Sequence, residues 1–310
     1  MTKTITLIGA PVDEGARRRG CLMGPDMLRT AGLGRALQAL GHDVTDVGDI
    51  AAAPYDAGQH SNENLYELDT CAGWIAALTP AVRDHASKAI PIVMGGDHLM
   101  SAGVVPGIAA RAADDGRSQF VLWLDAHSDF HDLNTTGSGN LHGTPVAYYC
   151  GRDGFAPHFP AVEAPVDPAN ILMLGLRSVD QAEKDKLRRE NIALADMRVI
   201  DEEGIAAPLT RFLDRVAVEN GHLHVSLDVD FLDPAIAPAV GTTVPGGATF
   251  REAHLVMEIL NDSDLVSSVD IAELNPYLDN HGCTADLLVD LISSLFGKRV
   301  LDRPTRGRHQ

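Results

Sequence analysis

The chain has 310 residues, 45% of them hydrophobic, so it can bury a sizeable core as one large domain or two small ones. Its 25 basic and 43 acidic residues give a formal net charge of −18, which argues against nucleic-acid and anionic-membrane partners. No apolar stretch approaches the roughly 18 residues of a membrane span, and "MTKTITLIGAP" begins with strand-like alternation instead of a secretory signal. We expect a globular, cytoplasmic protein whose acidic surface favours cationic ligands.

Short apolar runs, many of them β-branched, predict strands along the whole chain. In chain order they are "ITLIGAP", "DVTDVGDI", "AIPIVMGGDH", "FVLWLDAH", "NILMLGLR", "HLHVSLDVD" and "LVSSVDIAELNP". Helical patterns lie between them, over residues 24–41, 62–89 and 284–297 and after "GGATFRE". Strands that alternate with helices predict an α/β fold with a mostly parallel central sheet, covered by helices on both faces.

The connections complete the predicted organisation. No linker rich in Pro, Gly or Ser and no internal repeat divides the chain, so we expect a single domain over residues 1–310. The segment from Phe130 to His158 lacks apolar periodicity, and such long loops are usually functional. The basic tail, 298–310, is expected to be a loose end or an oligomer contact. Four scattered cysteines without a CxxC pair predict buried thiols: Cys21, Cys71, Cys150 and Cys283.

Four predicted strands end in acidic and histidine side chains. These are Asp97 and His98 after "IVMGG", Asp125, His127 and Asp129 after "FVLWL", Asp228 and Asp230 after "HVSL", and Glu273 after "VDIA". Sites in open α/β sheets lie beyond the carboxyl ends of the strands, so we expect these groups to converge. Side chains at i and i+2 of a strand point to one face, which would aim each set at one point.

Four crowded aspartates would resist ionisation unless cations neutralise them, and two divalent ions would balance them. Carboxylates with only two imidazoles and no thiolate favour manganese over zinc or copper, and leave magnesium, iron and cobalt open. Two ions that share carboxylates activate water as a nucleophile, so the pattern indicates metal-assisted hydrolysis. A single "DAH" or "DVD" could instead be a loop anchor or turn, but the combination favours a metal site.

The motifs "GGDH", "DAHSD", "SGNLHG", "SLDVDFLDP" and "AELNP", in this order, resemble those of the ureohydrolase (arginase/agmatinase) family, and the likeness runs essentially from end to end. The resemblance implies a three-layer α/β/α sandwich, two Mn²⁺ ions per chain and hydrolysis of a guanidinium group to urea and an amine. It also implies a homo-oligomer, a trimer or hexamer.

Residue roles follow from the same resemblance. One ion would be held by His98, Asp125, Asp129 and Asp228, and the other by Asp125, His127, Asp228 and Asp230. His142 matches the proton-shuttle histidine, whose near-neutral pKa suits proton transfer in both directions. Glu273 matches the carboxylate that grips the guanidinium. These two residues, with Asp129, are the predicted catalytic residues.

The substrate is predicted from positions that resemble those of the arginase branch. Donors for an α-carboxylate are Thr136, Ser138 and Asn140; acceptors for an α-ammonium are Asp180 and Glu183; Thr242 lies near the guanidinium end. This set favours L-arginine, with urea and L-ornithine as products. His131 departs from the usual Asn, and "VPGG" after Thr243 is similar to agmatinases, so agmatine or another guanidino acid is the alternative.

Two other classes are weaker. A dimetal phosphoesterase also uses Asp-x-His, but His222 and His224 of "GHLH" begin the strand that leads to Asp230, roughly 20 Å away at ~3.3 Å per residue. The negative net charge also suits a phosphate ester poorly. A guanidinium-binding regulator without catalysis would be expected to lack a ligand or the shuttle, and all of these residues are present.

Overall fold

A computed structural model describes residues 2–301 of the chain. Most of the predicted basic tail, residues 302–310, lies outside the described residues. Within them, eight strands form one sheet in the order β2-β1-β3-β8-β7-β4-β5-β6, with every neighbouring pair parallel. The strands are β1 (Thr4–Ala10), β2 (Asp43–Asp49), β3 (Ile90–Gly95), β4 (Gln119–Leu124), β5 (Ile171–Leu176), β6 (Ala193–Asp196), β7 (His222–Asp228) and β8 (Val266–Ala272).

Ten α-helices of the described residues connect and cover the strands. They are α1 (Gly24–Ala31), α2 (Leu33–Ala39), α3 (Leu68–Ala86), α4 (Ser101–Asp114), α5 (Pro145–Tyr149), α6 (Gln181–Leu187), α7 (Met197–Glu203), α8 (Ala206–Val218), α9 (Phe250–Ser263) and α10 (Cys283–Leu295). None of the helices in residues 2–301 has the length and apolarity needed to cross a membrane.

The sheet separates two apolar cores. One core packs the side chains of α1, α2 and α7 to α10 against one face, and the other packs α3, α4 and α5 against the opposite face. The alternating side chains of each strand contribute to both cores, as parallel strands buried on both sides do. The expected three-layer α/β/α sandwich is therefore confirmed.

The elements differ from the sequence-based expectation in a few places. All seven predicted strands are present, and β6 was missed because it is a short edge strand with mostly exposed side chains. The expected helix 24–41 is two helices, since Gly32 adopts φ 93° and ends α1. The helix expected from residue 62 begins only at Leu68. The sheet, expected to be mostly parallel, is entirely parallel. Of the four cysteines expected to be buried, Cys283 is exposed and the other three are buried, and all four are free.

The strand order has one feature that positions the site. Strands β8 and β7, from the last third of the chain, lie between β3 and β4. The four central strands are therefore β3, β8, β7 and β4, and these are the four whose carboxyl ends carry the predicted metal ligands and Glu273.

Candidate metal centre and substrate cavity

The structure brings the predicted metal ligands together at the carboxyl edge of the four central strands. His98 follows β3, Asp228 and Asp230 end and follow β7, and Asp125, His127 and Asp129 follow β4. All but His127 are buried, with relative exposures between 0% and 7%. The side chains reach this edge from strands that are far apart in sequence but adjacent in the sheet.

Segments that follow the strands, and not the strands themselves, aim most of these side chains. Strand β4 ends at Leu124, so Asp125 and the residues after it lie in a turn. Asp230 lies in a 3₁₀ turn whose backbone N–H donates to Asp228 Oδ1 at 2.7 Å. The expectation that strand alternation aligns them was therefore wrong for all but Asp228, which still belongs to β7, because the other residues lie beyond the ends of their strands.

Two site residues have left-handed backbone conformations that favour glycine. Asp129 has φ 46° and Glu273 has φ 68°. Such conformations cost of order 1–3 kcal/mol for a non-glycine residue and persist where surrounding contacts enforce them. The Glu273 N–H donates to the Gly96 carbonyl at 2.7 Å. Gly96 itself has no room for a side chain, since a Cβ there would lie 1.8 Å from the Val12 carbonyl oxygen.

A first ligand group surrounds His98. Its Nδ1 lies 2.9 Å from an oxygen of Asp228, 3.1 Å from Asp125 Oδ2 and 3.3 Å from Asp129 Oδ2. The ring stacks on Trp123, with centroids 4.1 Å apart and planes within 5°. A ring held in this way presents one nitrogen to three carboxylates.

A second group shares Asp125 with the first. His127 Nδ1 lies 2.9 Å from Asp230 Oδ2 and 3.5 Å from Asp125 Oδ1. The potential ligand atoms of Asp125, His127 and Asp230 lie within 4.8 Å of one another, as do those of His98, Asp125 and Asp228. Two adjacent groups with a common carboxylate are the arrangement that a pair of metal ions requires.

Unsatisfied buried atoms support this fit. His98 Nδ1 and Asp125 Oδ2 are 3.1 Å apart, yet neither has a partner with hydrogen-bond geometry among residues 2–301. Buried polar atoms without partners are rare in proteins, and a lone pair and a carboxylate oxygen that face one point suit a cation. The donor set of four aspartates and two histidines suits a hard or borderline divalent ion.

The shifted pKa values of the ligand side chains also indicate a site for cations. Burial and the nearby Asp125 raise the pKa of Asp230 to about 6, and burial followed by Asp230 and Asp125 raises the pKa of Asp228 well above its ordinary value. Burial lowers the pKa of His127, but Asp125 and Asp230 more than offset this and raise it to about 12. Carboxylates and imidazoles in this state hold protons that metal ions would displace.

His142 and Glu273 form a contact beside the ligands. His142 Nδ1 lies 2.8 Å from Glu273 Oε1, which also accepts the His98 backbone N–H at 2.9 Å. Burial lowers the pKa of the His142 imidazole, but the Glu273 carboxylate more than offsets this and raises it to about 9, above the near-neutral value expected from the sequence. Glu273 is only 2% exposed and does not line the cavity described next. Its predicted hydrogen bonds to a guanidinium therefore stay a prediction.

A cavity of about 280 Å³ opens above the ligands. All seven predicted substrate-binding residues line it: His131, Thr136, Ser138, Asn140, Asp180, Glu183 and Thr242. His127, Asp129, His142 and Asp228 reach it from below, together with Gly143 and Ser178, which the sequence analysis did not single out. The long segment from Phe130 to His158 and the loop before α6 both contribute to its walls.

A capping box fixes the acidic wall. Asp180 accepts the Glu183 N–H at 3.0 Å, and Glu183 Oε2 accepts the Asp180 N–H at 3.2 Å. Glu183 Oε1 also accepts the Ser128 hydroxyl and the Phe130 N–H, which ties the ligand-bearing turn to α6. His131 Nε2 lies 2.9 Å from Asp180 Oδ2, so the predicted α-ammonium acceptor already has a partner in this protein.

Three further residues support the site: Asp97, which the sequence analysis named among the strand-end residues without a role, and Trp123 and Ser226, which it missed. Asp97 accepts the Gly15 and Leu99 N–H groups and so holds the loop after β1 against the loop after β3. Trp123 packs on His98, and Ser226 Oγ lies 2.9 Å from His98 Nε2. The alternation of His224, Ser226 and Asp228 in "HLHVSLD" was the available signal for Ser226.

Comparison with known proteins gives a consistent result. The Arginase family model matches residues 3–297. The chain is 58% identical over 299 residues to the arginase of Brucella melitensis, covering 96% of this chain and 98% of that protein, and 37% identical to that of Bacillus subtilis over 97% of this chain and all of that one. The crystal structure of arginase from Bacillus cereus superposes with a TM-score of 0.87 at 34% identity, over 97% of this chain and 100% of the other.

Proposed function

Because the chain belongs to the arginase family, we propose that its site hydrolyses the guanidinium group of L-arginine to urea and L-ornithine. The observation that carries the proposal is one cavity that His127, Asp129 and Asp228 of the metal-ligand groups border and that acidic groups and hydroxyl and amide groups also line. A cationic guanidinium, an ammonium and a carboxylate each find complementary groups there. We propose that residues 1–310 act as one catalytic domain.

The clustered aspartates and histidines, together with the family, support a binuclear metal centre, and we propose two Mn²⁺ ions per chain. His98, Asp125, Asp129 and Asp228 would hold one ion, and Asp125, His127, Asp228 and Asp230 the other. When bound, such ions lower the pKa of water so that it can act as a nucleophile at neutral pH. The hard oxygen-rich ligand set supports manganese over zinc.

We propose that His142 delivers a proton to the departing amine. Its raised pKa, about 9, keeps the imidazole protonated at neutral pH, and its ring borders the cavity. Glu273 would orient this ring through the 2.8 Å contact and neutralise its charge. His142→Ala and Glu273→Gln should each lose most activity while metal content, measured by elemental analysis, stays at two ions per chain.

A second substrate is favoured by the contact between His131 and Asp180. If Asp180 remains engaged with His131, an α-ammonium loses an acceptor, and agmatine or a guanidino acid would lack this penalty. The side chains of Thr136, Ser138 and Asn140 in the same cavity nevertheless offer donors that only a carboxylate-bearing substrate would use.

The decisive experiment is urea release by the manganese-loaded protein from L-arginine, agmatine and 4-guanidinobutyrate, compared by kcat/KM. We expect kcat/KM for arginine to exceed that for the other two compounds by about tenfold or more. This ratio corresponds to a difference of about 1.4 kcal/mol in transition-state stabilisation. A lead for agmatine or guanidinobutyrate would reassign the walls of the cavity but keep the metal-dependent hydrolysis. No urea from any of the three would refute the proposed function.

Two wider properties remain predictions. We propose a homo-oligomer, a trimer or hexamer, which light scattering of the purified protein would test. We also propose a cytoplasmic location. The negative net charge supports the expectation that the protein does not bind nucleic acid.

A further inference from the structure

A row of buried polar side chains lies behind His98, in the middle of the sheet. His224 and Ser226 of β7 and Ser268 and Asp270 of β8 are all 0–2% exposed; we call these four the polar row. Alternation places them on the sheet face that also carries Asp228, while the residues between them join the opposite apolar core. The mechanism proposed above does not use any of the four.

Hydrogen bonds connect the polar row to the ligand histidine. His98 Nε2 lies 2.9 Å from Ser226 Oγ, and Ser226 pairs in register with Asp270 on the same face of the sheet. Asp270 Oδ2 also accepts the Ser101 hydroxyl at 2.8 Å and lies 3.1 Å from His224 Nε2. The row therefore runs from His98 through one hydroxyl to one carboxylate.

Proton counting fixes the tautomer of His98. A serine hydroxyl has a single proton, and an ionised carboxylate can only accept, so a Ser226 hydroxyl turned toward the adjacent Asp270 gives its proton to that carboxylate. Ser226 must then accept from His98, which places the imidazole proton on Nε2. The unprotonated Nδ1 is left facing the three carboxylates of the first ligand group, as a metal ligand must be.

Packing gives no other reason for a carboxylate beside an imidazole at this depth. Asp270 and His224 are both fully buried, and apolar residues of similar volume often replace buried polar or ionic pairs at no cost in stability. Asp270 Oδ1 has no hydrogen-bond partner among residues 2–301. A carboxylate linked to the far nitrogen of a metal-binding histidine, by contrast, is a recurring feature of metal sites.

We propose that Asp270, held by His224 and Ser101, is a positioning residue that acts through Ser226 to fix the tautomer and orientation of His98, and so sets the affinity for the ion that His98 holds. The inference rests on the proposed role of His98 as a ligand. It does not depend on which guanidino compound is hydrolysed.

The test is a Mn²⁺ titration of the metal-free full-length protein, followed by electron paramagnetic resonance of free Mn²⁺ and of the coupled ion pair. Wild type should bind two ions per chain. In Ser226→Ala and Asp270→Asn, one of the two ions should bind about 10- to 100-fold more weakly, the range for lost partners of metal ligands. The coupled-pair signal should then require correspondingly more Mn²⁺, while the second ion keeps its affinity.

A matched control and a double variant separate positioning from a structural role. Ser267 lies beside the polar row on β8, and its hydroxyl donates to the Leu223 carbonyl at 3.0 Å; Ser267→Ala should leave both affinities unchanged. The double variant Ser226→Ala with Asp270→Asn should bind the weaker ion no worse than Ser226→Ala alone, since both changes break one connection.

Three outcomes would overturn the proposal. They are wild-type affinity for both ions in Ser226→Ala, an equal loss at both ions, and additive losses in the double variant. If Asp270→Asn fails to fold, the neutral and smaller change Ser226→Ala decides the question alone. Failure of wild type to release urea would refute the proposed function without affecting this metal-binding readout.

Discussion

The two faces of β7 and β8 have different roles, because alternate residues of each strand point to opposite sides of the sheet. On one face, Leu223, Val225 and Ile271 join the core beneath α9 and α10. On the other face, Ser226 and Asp270 lie directly behind the metal ligands. Parallel strands buried on both sides are usually apolar throughout, so polar alternation within a fully buried strand marks the face that supports the site.

The largest expected effect comes from the polar face. Asp228→Asn keeps the acceptor for the Asp230 N–H but removes a charge that both ions would share. We expect kcat/KM for arginine to fall by at least about a thousandfold, because each metal contributes several kcal/mol to the reaction. The metal-free variant should be at least as stable as wild type in urea unfolding, since burial and neighbouring aspartates oppose ionisation of Asp228. Activity within tenfold of wild type would contradict its role as a ligand.

The apolar face should behave in the opposite way. Leu223→Ala leaves a cavity in the core, and such changes usually lower the free energy of unfolding by about 2–5 kcal/mol. Leu223 precedes Asp228 by roughly 16 Å of strand, so kcat/KM at low temperature should stay close to that of wild type. The control is Val218→Ala at an 87% exposed position, which should change the unfolding free energy by less than about 0.5 kcal/mol. A large loss of kcat/KM in Leu223→Ala would contradict the view that this face of the sheet serves stability and not activity.

The pH dependence of metal affinity tests the protons held on the polar face. In the absence of metal, the pKa of His127 is raised to about 12 and that of Asp230 to about 6, so His127 is protonated at neutral pH. Binding must release this proton, and the affinity for Mn²⁺ should therefore rise about tenfold per pH unit for each proton released between pH 6 and 8. Calorimetry in two buffers of different ionisation enthalpy measures the release. An affinity independent of pH would contradict this picture.

The smallest expected effect concerns an ion pair that belongs to neither face. Lys186 Nζ lies 2.6 Å from Asp132 Oδ2 and supports the wall of the cavity. Burial raises the pKa of Asp132, but Lys186 more than offsets this and lowers it. A lowered carboxyl pKa adds stability above about pH 4 that is lost as pH falls through the folded value. Lys186→Met should flatten this acid-side slope in urea unfolding and cost at most about 1 kcal/mol at pH 7. Lys184→Met, at an exposed position on the same helix, should leave the slope unchanged.

Much of the fold could be predicted because its evidence is local. Apolar runs such as "FVLWL" identify buried strands without knowledge of their neighbours, and the polar residues that follow them fall at one edge of any parallel sheet. Strand β6 was not predicted because an exposed edge strand needs few apolar residues. The break between α1 and α2 at Gly32 was not predicted because helical periodicity continues on both sides of it.

The geometry of the site was harder to predict because it depends on pairing. That Ser226 stands beside Asp270 follows only from the register of β7 and β8, whose partners lie 44 residues apart in sequence. The turn at Asp129, with its left-handed backbone, is imposed by surrounding contacts and not by a glycine in the sequence. The contact between His131 and Asp180 likewise joins two loops that no local pattern connects.

The position of β7 and β8 between β3 and β4 has a consequence for biosynthesis. When the ribosome has made the first 200 residues, the strands already synthesised belong to two half-sheets, β2-β1-β3 and β4-β5-β6, which share no strand pairing. His98 lies on one half and Asp125 on the other, so the nascent chain cannot assemble the metal centre. Only when the last third of the chain emerges can the two central strands join the halves and supply the remaining ligands. We therefore expect the complete set of ligands to be available to metal ions only after synthesis of the chain is nearly finished.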